Sequence, residues 1–172
     1  MRVYKMTLTA LMVALAVIFH YVEGFIPVLI AIPGFKLGLA NIVGVFVLFY
    51  MGPSYYVSVQ ILRILLVALI STGFGTPFLL ALGGGLLSIV GSLLLYKYTK
   101  VSIYSVSIVG AFLHVLGQII TYLLIVQTFY MLLYLPILAS LSMLAGGLLA
   151  YLASLIIKVL PEFNRLTRIR RR

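Results

Sequence analysis

A single arginine interrupts the apolar run SVQILRILLVALI at residues 58–70, and no acidic residue lies within thirty positions of it on either side. Gln60 precedes Arg63 by three residues, so the two side chains share one face of a helix. A guanidinium stays charged when it leaves water, and its planar fork matches a carboxylate or a phosphate. The pair could therefore bind an anion. The open alternative is a structural Arg63 that is satisfied by helix ends or by Glu23.

Further polar residues fall in the outer half of the spans, beyond the depth of Arg63. His114 and Gln118 are one helical turn apart and share a face. At 1.5 Å of rise per residue, Arg63 lies about 15 Å above the chain break at Pro53, near the membrane midplane. On the same scale His114 and Gln118 lie about 18 and 24 Å above Ser102, in the outer half. The other candidates come from the outer ends of the first two spans: His20, Glu23, Lys36 and Asn41.

These residues predict an outward-facing pocket with surplus positive charge, because Lys36 and Arg63 outnumber Glu23, the one acid of the outer half. Arg63 and Gln60 would form the floor, and Glu23 and Lys36 would lie nearer the mouth. Three residues would line the walls: Asn41, His114 and Gln118. These three could equally hydrogen-bond between helices and hold the bundle together, and that alternative stays open.

The composition indicates that lipid is the main solvent of the chain. Of 172 residues, 65% are apolar, twelve are basic and two are acidic, for a net charge of +10. A soluble chain of this length needs a more polar surface. The lack of cysteine excludes disulfides, thiolate metal sites and thiol catalysis. The N-terminal run resembles a signal peptide, but further apolar spans follow it, so we interpret it as the first helix.

The apolar stretches predict an all-α membrane protein with six transmembrane helices. A helix needs about 20 apolar residues to cross the hydrocarbon core. Breaks at MGPS, STGFGTP and KYTK separate the later spans. The predicted helices are 5–22, 37–52, 54–72, 78–97, 102–127 and 132–159. Residues 23–36 contain two prolines and are predicted to form a re-entrant or interfacial loop.

The basic residues predict that both termini are cytoplasmic. With that orientation ten of them lie inside, Lys36 lies outside and Arg63 lies within a span. Such a bias is typical of the positive-inside rule and requires an even number of helices. Residues 1–160 would form the transmembrane substrate-binding domain, and the basic tail 161–172 would anchor the topology near anionic lipid.

Catalytic patterns are missing from the sequence. The chain has no GxxxxGK[ST] loop, no HExxH pair and no paired carboxylates, so we expect neither an enzyme nor a bound cofactor or metal. Small residues recur instead, and they predict close helix packing. They include Gly84, Ser88 and Ser92 on the fourth helix, Gly146 and Gly147 on the sixth, and Ala10 and Ala14 on the first.

The six short helices and the Ala10–Ala14 strip resemble an S component, the substrate-binding subunit of an energy-coupling factor transporter. Three segments resemble more closely the family called heptaprenyl diphosphate synthase component I, or the Gx transporter family. They are IPGFKLGLANIVGVFVLF (32–49), RILLVALISTGFGTPFLLALGGGLLSIVGSLLL (63–95) and GAFLHVLGQIITYLL (110–124).

This resemblance implies a multi-pass protein of a bacterial or archaeal cell membrane that captures a substrate outside the cell. It would dock through Ala10 and Ala14 onto a transmembrane coupling subunit driven by two ATPases, and then topple in the bilayer to release the substrate. The substrate would be a small anionic or amphipathic molecule. The alternative is a non-catalytic accessory subunit of polyprenyl diphosphate or quinone biosynthesis. The chain contains no aspartate with which to hold magnesium and diphosphate, so it cannot be the synthase by itself.

Overall fold

A computed structural model describes residues 2–25 and 38–159. Three predicted features lie outside the described residues: most of the loop that follows Phe25, Lys36 within that loop, and the tail 161–172. The described part is all-helical, as predicted, and contains no strand. Its six α-helices are α1 (Arg2–Phe25), α2 (Leu39–Tyr50), α3 (Pro53–Val67), α4 (Thr76–Tyr98), α5 (Ile103–Val126) and α6 (Leu135–Val159). A π-helical segment, Ala68–Thr72, continues α3, and a 3-10 helix, Phe129–Tyr134, leads into α6.

Five of the described helical segments are long and apolar enough to cross a membrane. They are Val3–Phe25, Pro53–Thr72, Thr76–Tyr98, Ile103–Val126 and Phe129–Val159. The remaining helix, α2, has 12 described residues. Its rise of about 18 Å is short of a hydrocarbon core of about 30 Å. The chain is thus a multi-pass membrane protein, whereas six complete spans and cytoplasmic termini stay predictions.

Local sequence explains four of the helix ends. Pro53 and Pro77 lie in the first turns of α3 and α4, where a missing N–H costs no hydrogen bond. Ser102 caps α5 by accepting a hydrogen bond from the N–H of Ser105 at 3.3 Å. Gln127 ends α5 in the left-handed conformation, with φ of 55°.

The first predicted helix was too short. Residues 5–22 were expected, but α1 runs from Arg2 to Phe25, because Glu23 and Gly24 continue the helix instead of opening the loop. The fourth and fifth helices agree with the prediction to within two residues at each end.

Small residues allow α4 and α5 to pack closely, which confirms the packing expected for the fourth helix. A Cβ placed on Gly84 would lie 2.7 Å from the carbonyl oxygen of His114. The hydroxyl of Ser88 donates to the carbonyl oxygen of Gly110 at 2.8 Å. A similar bond joins α5 to α6, where the hydroxyl of Ser107 donates to the carbonyl oxygen of Gly146 at 2.7 Å. These side chains leave no room for lipid between the helices.

The two ends of the bundle differ in their packing. Buried apolar residues fill the end near Pro53 and Ser102, with Val47, Val59 and Val106 among the least exposed. Basic residues surround this end, and the ammonium of Lys5 on α1 lies 5.9 Å from the ring centre of Tyr55 on α3. The opposite end is hollow.

Candidate binding cavity

A cavity of about 230 Å³ opens in the end of the bundle that lies away from the basic residues. All six α-helices contribute to its wall, so no single pair of helices defines it. Its polar lining consists of His20, Glu23, Asn41, Gln60, Arg63, Thr72, Ser88, His114, Gln118 and Ser142. Its apolar lining includes Ile64, Val67, Phe78, Leu80 and Leu149. Small-molecule sites have this character, an apolar wall with a few convergent polar groups.

The structure brings together the predicted site residues that it describes. Glu23, Asn41, Gln60, Arg63, His114 and Gln118 all line this one cavity, although they come from four helices. Lys36 lies outside the described residues. The surplus of positive charge, which depended on Lys36, therefore stays a prediction, as does the role of each residue in binding.

Arg63 is partly buried in the cavity wall, and its guanidinium interacts electrostatically with the carboxylate of Glu23. Both residues line the cavity. Arg63 is the one cationic residue of the described lining. Its five N–H donors can serve more than one acceptor group.

Glu23 was expected near the mouth of the pocket, but it is buried, with 5% of its surface exposed. Its Oε1 accepts a hydrogen bond from the backbone N–H of Gly38, directly before α2. The extension of α1 beyond residue 22 brings the carboxylate to this position. Glu23 therefore joins the first two helices as well as lining the cavity.

Gln60 is the most buried of the predicted site residues, with 4% of its surface exposed. Its Oε1 has no hydrogen-bond partner among residues 2–25 and 38–159. Gly44 on α2 makes room for the amide, since a Cβ there would lie 2.7 Å from Nε2 of Gln60. Buried polar atoms in native proteins are nearly always hydrogen-bonded, so an unpaired oxygen in a cavity wall indicates a site for a ligand or water.

His114 and Gln118 are held in place by the close contact between α4 and α5. A Cβ on Gly84 would lie 2.7 Å from Cγ of Gln118 and 3.2 Å from Cε1 of His114. Both side chains therefore lie against the backbone of α4 and line the cavity beside it. Asn41 lies in the first turn of α2, where its N–H donates to the carbonyl oxygen of Gly38 at 2.7 Å.

Three polar residues of the wall were not predicted as site residues: Thr72, Ser88 and Ser142. His20, a candidate from the outer end of the first span, precedes Glu23 by three residues, shares its helix face and lines the cavity with it. Ser142 precedes Gly146 by one turn, and both line the cavity. Thr72 could not be found in this way, because it lies in a π-helical segment whose turn differs from that of an α-helix.

Metal binding finds no support in the described part of the chain, where no group of three or more His, Cys, Asp or Glu side chains could hold an ion. The cavity instead offers one guanidinium, one carboxylate, two imidazoles, three amides and several hydroxyls. These groups can bind and orient a polar ligand.

A family model described as heptaprenyl diphosphate synthase component I matches residues 12–156, from α1 to α6. The chain belongs to this family. The match confirms the resemblance found in the sequence, and every candidate cavity residue lies within it. No curated protein and no solved structure matches this component I chain. The family's name denotes one component of a synthase, and nothing in the described structure indicates catalysis by that component.

Proposed function

We propose that this component I family member is the substrate-capture subunit of an energy-coupling factor importer and binds a small anionic or amphipathic molecule in the cavity. The observation that carries the proposal is the single cavity lined by all six helices, with Arg63 and Gln60 in its wall. Polar groups within membrane spans are costly, so a polar cavity at this depth favours a protein that binds something there.

Arg63 is the group that selects an anion. It is the only cation of the described lining, and its guanidinium can form two parallel hydrogen bonds to a carboxylate or phosphate. Glu23 interacts electrostatically with it, and the same carboxylate also accepts a hydrogen bond from the N–H of Gly38. An incoming anion would take over the guanidinium donors that face the cavity. Asn41, His114 and Gln118 would then contact the rest of the ligand.

Ala10 and Ala14 on α1 are proposed to dock the coupling subunit. Both are exposed, whereas Val13 and Ala16 on the same helix are buried against the bundle. The outer face of α1 thus presents small side chains through which a second helix could approach closely. The ATPase subunits would act through that coupling subunit, since this chain has no nucleotide-binding loop.

The alternative function is a membrane accessory subunit of polyprenyl diphosphate or quinone biosynthesis. The name of the family, heptaprenyl diphosphate synthase component I, favours it. In that case the protein would associate with a soluble synthase, and the cavity would have no part in uptake.

The proposed function is tested by purifying wild type, Arg63→Lys and Arg63→Gln from the organism's own membranes. Native mass spectrometry then records both the protein partners and any retained small molecule. We expect wild type to be recovered with a coupling subunit and ATPases and to retain an acidic molecule. Arg63→Gln should fold but lose that molecule, because removal of one partner of a buried charge pair costs about 3–5 kcal/mol, or about a hundredfold or more in affinity.

Arg63→Lys keeps the charge without the planar fork, so it should retain less of the molecule than wild type. Recovery with a soluble prenyl synthase would favour the alternative function. Full retention of the molecule by folded Arg63→Gln would contradict the anion pocket.

A further inference from the structure

The buried side-chain oxygen of Gln60 restricts the chemistry of the ligand further than Arg63 does. Gln60 lines the cavity three residues before Arg63, on the same face of α3. Its Oε1 is shielded from solvent and has no partner in the described part of the chain. A buried carbonyl oxygen is a hydrogen-bond acceptor only, so it can be satisfied only by an N–H or O–H group.

The position of the amide is imposed by the neighbouring helix. Around Gly44, α2 lies so close to α3 that a Cβ would come 2.7 Å from Nε2 and 3.1 Å from Cδ of Gln60. The amide therefore lies directly against the backbone of α2, with its nitrogen on that side. The site is built, because Gln60 is 96% buried and Gly44 provides the space for it.

We propose, resting on the proposed function, that the substrate is a compact acid that also carries an N–H or O–H donor, and that Gln60 is the residue that selects for this donor. Arg63 binds the acidic group, and Oε1 of Gln60 accepts the hydrogen bond. Residues three apart on a helix are neighbours on its surface, so one compact ligand can contact both side chains.

The size of the cavity supports a compact ligand. Its volume of about 230 Å³ is below the range of about 300–1,000 Å³ that is usual for drug-sized ligands. A ring that carries both groups matches this volume. The apolar lining from Ile64, Phe78 and Leu149 suits the faces and edges of such a ring.

This arrangement predicts strong selectivity for ligands that carry the hydrogen-bond donor. A site built to bond a ligand hydroxyl rejects an analogue that lacks it, because the protein acceptor is then left buried and unpaired. A methyl ether of the same ring places a carbon where the donor should be. It should bind more weakly although it is more apolar.

The test uses the purified full chain in lipid nanodiscs and three sets of probes. The first set consists of the ortho, meta and para hydroxy- and aminobenzoates. The second consists of their methoxy and dimethylamino counterparts, which keep the acid and lose the donor. The third consists of the methyl esters of the first set, which keep the donor and lose the acid. Binding is measured by calorimetry against wild type, Gln60→Met, Arg63→Gln and Ser58→Ala.

We expect at least one hydroxy- or aminobenzoate to bind wild type at least tenfold more tightly than its methylated counterpart. Gln60→Met should largely abolish that preference while leaving the acid requirement, because methionine has a similar shape and its thioether sulfur is only a weak acceptor. Its melting temperature should equal or exceed that of wild type, since no unpaired oxygen is left buried. Ser58→Ala is the matched control on α3, because Ser58 is exposed and its hydroxyl donates to the carbonyl oxygen of Ser54 in its own helix.

Three outcomes would contradict the inference, and they are distinguishable. Equal binding of the methylated and unmethylated acids, lost in Arg63→Gln, overturns the role of Gln60 and leaves the proposed function standing. A donor preference that persists in Gln60→Met assigns the acceptor to another residue. Binding of the esters alone, or of no acid at all, overturns both the inference and the anion pocket.

Discussion

The backbone N–H of Gly38, directly before α2, donates a hydrogen bond to the carboxylate of Glu23, near the end of α1. The two residues are fifteen positions apart, and both line the cavity. The same carboxylate interacts electrostatically with Arg63. The side chain of Glu23 thus has two roles: it joins α1 to the start of α2, and it partly neutralises the charge of Arg63. Different substitutions of Glu23 can separate the two roles.

Glu23→Gln should keep the hydrogen bond from Gly38 and lose the charge interaction with Arg63. The glutamine oxygen can still accept the N–H of Gly38, but the negative charge that competes with an anionic ligand is gone. We expect Glu23→Gln to bind the acidic benzoates severalfold more tightly than wild type. Glu23→Ala leaves the N–H without its partner and should lower the stability by about 1–3 kcal/mol relative to Glu23→Gln. Thermal unfolding and calorimetry of both variants check this, and equal stability would show that the bond contributes little.

The orientation in the membrane can be tested with single cysteines, because the chain has none of its own. Gly75 lies at the cavity end and Thr99 at the basic end, and both are exposed. A Cβ at Gly75 meets only ordinary contact with Pro77 at 3.7 Å, so Gly75→Cys should not disturb the fold. We expect a membrane-impermeant maleimide to label Gly75→Cys in intact cells, and Thr99→Cys only after permeabilisation. The reverse pattern would place the cavity inside and contradict the predicted topology.

The exposed alanines of α1 should be required for complex assembly and not for ligand binding. Ala14→Leu or Ala10→Leu places a bulky side chain where a partner helix must approach, so uptake and copurification with the coupling subunit should be lost. Ser140→Leu is the matched control, because Ser140 is also small and exposed but lies on α6. Calorimetry with an acidic probe should give unchanged affinity in all three variants. Normal uptake by both alanine variants would show that the strip is not a docking site.

The contact between α4 and α5 predicts opposite results for two glycine substitutions. A Cβ on Gly117 would lie 2.6 Å from the carbonyl oxygen of Gly83, a backbone atom that cannot turn away. Gly117→Ala should therefore cost about 1–3 kcal/mol or more, and it should weaken ligand binding because His114 and Gln118 move with α5. At Gly147 the nearest atom outside its own helix is 3.8 Å away, in the side chain of Ile108. Gly147→Ala should be neutral or stabilise by up to about 1 kcal/mol.

Thermal unfolding in the same nanodiscs compares the two glycine variants directly. Because both changes add one methyl group to a helix, the comparison isolates the effect of the contact. An unchanged melting temperature for Gly117→Ala would mean that α4 and α5 lie farther apart in the membrane than in the structure.

The sequence by itself determined the helical class, most of the helix ends and the pairs of residues that share a face. Residues three or four positions apart lie on the same face of a helix, whatever surrounds it. This rule placed Gln60 on one face with Arg63, and His114 on one face with Gln118. The hollow end could be anticipated because polar residues within apolar spans must face the interior of a bundle or a cavity. These are local properties of a chain in lipid.

Only the tertiary structure decided which faces meet. It brought Glu23 to Gly38, turned Ala10 and Ala14 outward while burying Ala16, and left the oxygen of Gln60 without a partner in the described part of the chain. Helical periodicity relates residues within one helix but gives no information on the rotation of one helix against another. That rotation depends on contacts between residues that belong to different helices. One example is the contact of Gln60 with Gly44, where a glycine on α2 leaves room for the side chain of Gln60 on α3.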